Sequence, residues 1–162
     1  MLRVLLIASL LLVSGCDQEG VEVRQVYVGV NGPAAPHFDY LLDQAALEKS
    51  WVKPVLDETQ WRALLSTIDF NREMLLALAV GERENASGTV KISRAYIYTG
   101  VADRPLNINA KIGVLGDACK GLWKVSAPFT LVVIPKSAYS GASGGYDIAN
   151  FPDGCRALAG RY

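Results

Sequence analysis

The pattern of apolar and polar positions changes period several times along this chain, and each change marks an element. The cleanest alternation lies between 106 and 115, where Leu106, Ile108, Ala110, Ile112 and Val114 interleave with Asn107, Asn109 and Lys111. A period of two with one polar face predicts a half-solvated strand. Val90 to Tyr98 precedes it across the connection Gly100–Pro105, so the two predict an antiparallel hairpin. Met74 to Val80 is apolar at every position up to Gly81, as a central strand covered on both faces requires. Phe129 to Ile134, stopped by Pro135, reads the same way.

Helical spacing is confined to 43–68. Asp57 followed by Gln60 makes a capping box, and Trp61, Leu64, Leu65 and Ile68 then fall on one helical face. A shorter helix is expected after Asp43, with Leu47 and Trp51 one turn apart and Pro54 as its end. Val21 to Val30 is β-branched, but its apolar phase shifts between Val23 and Val26, which predicts a bulge or bend near Arg24-Gln25. Asn31-Gly32-Pro33 and Pro36 break the chain, and the Gly- and Ser-rich stretch from Ser137 onward reads as irregular. These elements predict one α+β domain over 21–162, a small antiparallel sheet with one or two short helices packed on one face.

The first apolar run has a different meaning. Arg3 precedes an apolar stretch from Val4 to Val13, and Val13-Ser14-Gly15-Cys16 closes it. About ten residues are too few to cross a ~30 Å hydrocarbon core as a helix. A basic start, a short apolar run and small residues before a cysteine describe a bacterial lipoprotein signal, residues 1–15, with cleavage before Cys16 and acyl chains on that residue. Several chains on one residue make a stable anchor. Removing residues 1–15 of the 162 leaves 147, enough to bury a core without a metal. Residues 16–20 form a very short tether, so the domain is expected at the cell envelope, facing the periplasm or the exterior. Asp17 resembles the signal that retains enterobacterial lipoproteins in the inner membrane.

Composition narrows the partners. Sixteen basic and sixteen acidic residues cancel, and no basic run appears, which argues against nucleic acid. Beyond Cys16, the remaining cysteines, Cys119 and Cys155, form an even pair in an oxidising compartment, where a disulfide is expected. It would close a loop of about 37 residues and contribute roughly 4 kcal/mol. Without a Cys-x-x-Cys motif there is no thioredoxin-like site. With a single histidine, no metal site or cofactor is expected.

The stretch from about 45 to 136 resembles the C-terminal domain family named after PrcB, a lipoprotein subunit that stabilises a bacterial surface protease complex. The resemblance is carried by a tryptophan-bearing helix, Ile68-Asp69-Phe70 before Met74–Gly81, Ser87-Gly88 ahead of Val90-Lys91-Ile92, and Ala127–Lys136. It departs where the family usually has Gly-Gly-Tyr, since this chain has Ser87-Gly88-Thr89. The resemblance implies a binding or stabilising module without catalytic residues.

Candidate chemistry is sparse. Gly141-Ala142-Ser143-Gly144-Gly145 fits Gly-x-Ser-x-Gly, but no histidine follows Ser143, and His37 is the only one in the chain. A small serine hydrolase using Ser143 with His37 is the alternative from a different class, and a purely structural envelope lipoprotein is the third reading. Ser50-x-x-Lys53 has the spacing of penicillin-binding enzymes without their companion motifs. Lys120, Trp123 and Lys124, directly after Cys119, are the candidate partner contacts, because a tryptophan on a disulfide-stiffened loop suits a protein interface. Tyr139 and Tyr146 are weaker candidates of the same kind.

Overall fold

The structure, a computed structural model, describes residues 17–141 and 144–153. The signal segment 1–15, Cys16, Ala142, Ser143 and Cys155, all named above, lie outside the described residues.

Two four-stranded sheets face each other. One contains β1 (Gln18–Val21), β5 (Ala86–Tyr98), β6 (Leu106–Leu115) and β8 (Tyr146–Asp153), in the order β1-β5-β6-β8. The other contains β2 (Arg24–Gly29), β3 (Pro36–Leu41), β4 (Glu73–Val80) and β7 (Phe129–Pro135), in the order β2-β7-β4-β3. Three short helices, α1 (Gln44–Lys49), α2 (Val52–Val55) and α3 (Glu58–Ser66), cover the outer side of this second sheet. Strand outweighs helix, 49% against 20% of the described residues, so the single small sheet expected from the sequence is corrected to two.

β4 explains the three layers. Leu75, Ala77 and Ala79 pack with Leu47, Val52, Trp61 and Leu64 of the helices. Met74, Leu76, Leu78 and Val80 point the other way, against Ile97, Leu106, Ile108 and Ile112 of the facing sheet. Because successive side chains alternate faces, a strand covered on both must be apolar throughout. β7 repeats the pattern, with Phe129, Leu131 and Val133 toward the helices and Val132 and Ile134 toward the other sheet. Thr130 is the polar exception on β7, and its hydroxyl donates to the Tyr27 carbonyl at 3.2 Å.

The capping box of α3 forms in both directions. Gln60 N–H donates to Asp57 at 2.8 Å, and Asp57 N–H donates to the Gln60 side chain at 3.0 Å. Asp43 caps α1, accepting from Ala46 N–H at 2.7 Å. Pro54 does not end that helix as expected. α1 stops at Lys49, where the Ser50 hydroxyl donates to the Leu47 carbonyl at 2.7 Å and accepts from Val52 N–H at 3.2 Å. Pro54 then sits in the single turn of α2, where first-turn N–H groups need no partner.

The phase shift in 21–30 is a change of sheet. The chain leaves β1 after Val21, crosses at Glu22-Val23 and enters β2, whose register against β7 slips between Gln25 and Tyr27. Two other segments correct the sequence reading. Pro36–Leu41 pairs along β4 as an edge strand, with its proline at the first position where no ladder donor is needed. Tyr146–Asp153 is not irregular but runs parallel to β6 as the other sheet's edge. Its few apolar residues and Pro152 suit an edge.

An aromatic seam closes the side where β3 approaches β6 and β8. Phe38 packs on Tyr40 at 4.9 Å and on Tyr146 at 5.0 Å, and Tyr40 stacks on Tyr139 at 4.8 Å. Tyr40 donates to the Leu106 carbonyl at 3.3 Å, and burial beside Tyr139 raises its phenol above the ordinary range. Tyr139 and Tyr146 thus serve mainly as packing.

Arg24 joins three elements at one end of the sandwich, donating to the Thr67 carbonyl at 3.1 Å and to both Glu73 oxygens at 3.0 and 3.1 Å. Asp69 N–H first, and Arg24 second, hold the Glu73 carboxyl below the ordinary carboxylate range. A carboxyl lowered in the folded state contributes stability above its unfolded pKa and loses it as pH falls through the folded value. Glu73→Gln is therefore expected to cost up to about 1 kcal/mol at neutral pH, with the difference from wild type vanishing in acid. Thermal melts across pH measure this, and a difference that grows toward low pH would contradict it.

Candidate functional site

The two ends of the sandwich differ. Gln18 pairs with Tyr98, and Leu106 pairs with Ile97, so Asp17 lies beside the β5–β6 connection. Thr99 fixes it there, donating to the Asp17 carbonyl from its N–H at 3.0 Å and its hydroxyl at 3.1 Å. β6 then runs ten residues to Leu115, about 30 Å away. Leu115 N–H donates to the Asn85 carbonyl at 2.7 Å, which places the turn after β4 at this opposite end too.

The residues singled out after Cys119 gather at that opposite end. A 3-10 turn, Asp117–Leu122, follows β6 and carries Cys119, which is buried and disulfide-bonded. Both other cysteines of the chain lie outside the described residues. Lys120 is exposed, with its ammonium 5.8 Å from the centre of the Trp123 ring, at the outer limit of a cation–π contact. Trp123 is half-buried, and its indole N–H is shielded without a hydrogen-bond partner among the described residues. Lys124 is exposed beside it.

Sequence reasoning missed the neighbours of this tryptophan. Val125 is 64% exposed and Val30 38%, and they flank a cleft of about 220 Å³ with Asn31, Gly32, Glu82 and Ser126. Its floor is main chain: Gly32 N–H donates to the Ala127 carbonyl at 2.7 Å, and Arg83 and Ser126 exchange bonds at 2.8 and 3.0 Å. Gly32 permits the closest approach, since a Cβ there would lie 2.8 Å from the Ala127 oxygen. The Ser126 hydroxyl is buried and has no partner among the described residues. The volume is below the ~300 Å³ at which small-molecule pockets begin, so it suits one side chain of a partner. The sequence signals were an apolar valine in the polar run between Lys124 and Ser126 and the charged turn Glu82-Arg83-Glu84 after a buried strand.

The catalytic candidates fare differently. His37 lies on edge strand β3 opposite Ala79, its ring 6.4 Å from that of Trp51. Ser143 is outside the described residues, but the next residue, Gly144, has a packing reason to be glycine. A Cβ on Gly144 would collide with the Leu106 carbonyl. Gly145 N–H donates to the Asn107 side chain at 3.2 Å, and its carbonyl accepts from Ile108 N–H at 3.1 Å. Ser50 is committed to the α1–α2 junction, and Lys53 lies over the Trp61 ring at 5.4 Å. Among the described residues no three His, Cys, Asp or Glu side chains converge as a metal site. None of the described helices is long and apolar enough to cross a membrane.

Comparison with family models, characterised proteins and solved structures finds no match for this chain.

Gly144 separates packing from chemistry. Gly144→Ala is expected to destabilise the domain by about 1–3 kcal/mol through the clash with β6. Equal melting of Gly144→Ala and wild type would remove the packing explanation of this glycine-rich stretch.

Proposed function

We propose that this chain is a bacterial lipoprotein, anchored through acyl chains on Cys16, whose single extracytoplasmic domain is a non-catalytic binding module. Its partner is a protein of the cell envelope, and the PrcB-like pattern of 45–136 favours a protease or a comparable complex that the module stabilises. The observation that carries this reading is the polarity of the sandwich. The residue following Cys16 is bonded to Thr99 at one end, and the cleft between Val30 and Val125 opens at the other. A module so built presents its partner surface away from its point of attachment.

Other features support it. A disulfide at Cys119 fits an oxidising compartment, and Cys155 is the proposed partner because Cys16 is assigned to lipid. Trp123 supplies the large amphipathic side chain typical of an interface centre, and Lys120 and Lys124 beside it suit the polar rim. Asp17 favours the inner membrane.

Two measurements test the reading. Cys16→Ala is expected to move the protein from the membrane to the soluble fraction, and acylation persisting in that variant would overturn the anchor. A photo-crosslinking residue at Val125 should capture one stoichiometric envelope protein in native membranes. Trp123→Ala should reduce that capture about tenfold or more, as interface-centre tryptophans do. Undiminished capture would take Trp123 out of the interface.

A further inference from the structure

We propose that the tip of the β5–β6 connection, Gly100-Val101-Ala102, is a second membrane contact that lies in the bilayer headgroup region and fixes the orientation of the domain. The inference rests on the lipid anchor at Cys16 and adds to it where the domain touches the membrane.

A short tether over residues 16–20 would leave the domain free to tumble about its anchor. Instead β1 begins at Gln18, and Asp17 is already bonded to Thr99 from both the main chain and the hydroxyl. Cys16 is one residue further, and consecutive Cα atoms are ~3.8 Å apart. No slack remains between the acylated residue and the β5–β6 connection. Whatever depth the acyl chains impose on Cys16, the connection shares it within a few ångströms.

The tip suits that position. Val101 is 44% exposed, one of four large apolar side chains so exposed among the described residues, and Ala102 beside it is also exposed. Nothing in the fold uses Val101 as a core residue. The connection is braced from two sides, which makes it a fixed feature. Arg104 bridges to Glu19 of β1 at 3.2 Å, and the Ser140 hydroxyl donates to the Asp103 carbonyl.

Charge decides how the contact works. At this end Asp17, Glu19, Glu22, Asp69, Glu73 and Asp103 stand with Arg24, Arg72, Arg104 and Lys136, so no excess of basic charge draws it to anionic lipids. One valine and one alanine bury too little apolar surface to hold a protein on a membrane alone. The tip therefore contacts lipid only when acyl chains bring it there, and it sets orientation without adding appreciable affinity.

The test uses the full chain purified from bacterial membranes and reconstituted into phosphatidylethanolamine–phosphatidylglycerol vesicles. An environment-sensitive fluorophore is placed at Val101→Cys or, at the opposite end, at Val125→Cys, and flotation is measured first. The proposal expects the protein to float, the probe at 101 to shift to the blue and be quenched by headgroup-labelled lipid, and the probe at 125 to show neither effect. If the protein floats while the probe at 101 behaves like the one at 125, the membrane seat is wrong and the anchor stands. Failure to float overturns the anchor and the seat with it. A Cys16→Ala protein whose 101 probe still shifts would overturn the claim that the contact depends on the acyl group.

Discussion

The whole domain depends on β4 being buried on both faces. A strand in that position has no side that tolerates water, and every residue from Met74 to Val80 is at most 1% exposed. Each fully buried leucine or methionine contributes about 1.5–3 kcal/mol relative to exposure. Those side chains are shared between two interfaces, helices on one side and the second sheet on the other. Neither layer can be lost without exposing half of β4, so the helices, though only four to nine residues long, are part of the core and not an accessory.

This constraint explains which parts of the fold were legible. β4, β7 and the β5–β6 pair were read directly because burial writes itself into their patterns, continuous where two faces are covered and alternating where one is. α3 was legible through Asp57 and Gln60, whose mutual bonds are local and need no tertiary context. The edge strands β3 and β8 were not. β3 and β8 each have one open side, carry Pro36 or Pro152, and are specified by the strand they pair with more than by their own apolar content. The second sheet was invisible for the same reason, since recognising it requires knowing that β1 and β2, adjacent in sequence, belong to different sheets.

The candidate site shows the same division. Trp123 was singled out because a tryptophan between lysines stands out in any sequence. Val30, Gly32 and Ser126 were not, because they meet only through the isolated bridges that bring 30–32, 83 and 126–127 together. Val30 in particular reads as the end of a strand, and its exposure follows from where β2 stops. Ser143 and Gly144 illustrate the converse: a motif with a catalytic look contains a glycine that close packing against the Leu106 carbonyl already demands.

The attachment geometry has a consequence for how a partner would be met. A protein on a flexible tether samples orientations, and a partner must wait for the right one. Here the strand begins at the second residue after Cys16, so an anchored domain would stand with β6 running away from the bilayer and its cleft about 30 Å out. Search is then reduced to lateral diffusion and rotation about the membrane normal. A cleft that holds one side chain is a weak site by itself, and the energy of a stable complex has to come from its surroundings, with Trp123 the largest side chain available. A partner able to use this surface must offer a protruding apolar residue at that height, with acidic groups placed to meet Lys120 and Lys124. That requirement selects among envelope proteins by geometry as much as by chemistry.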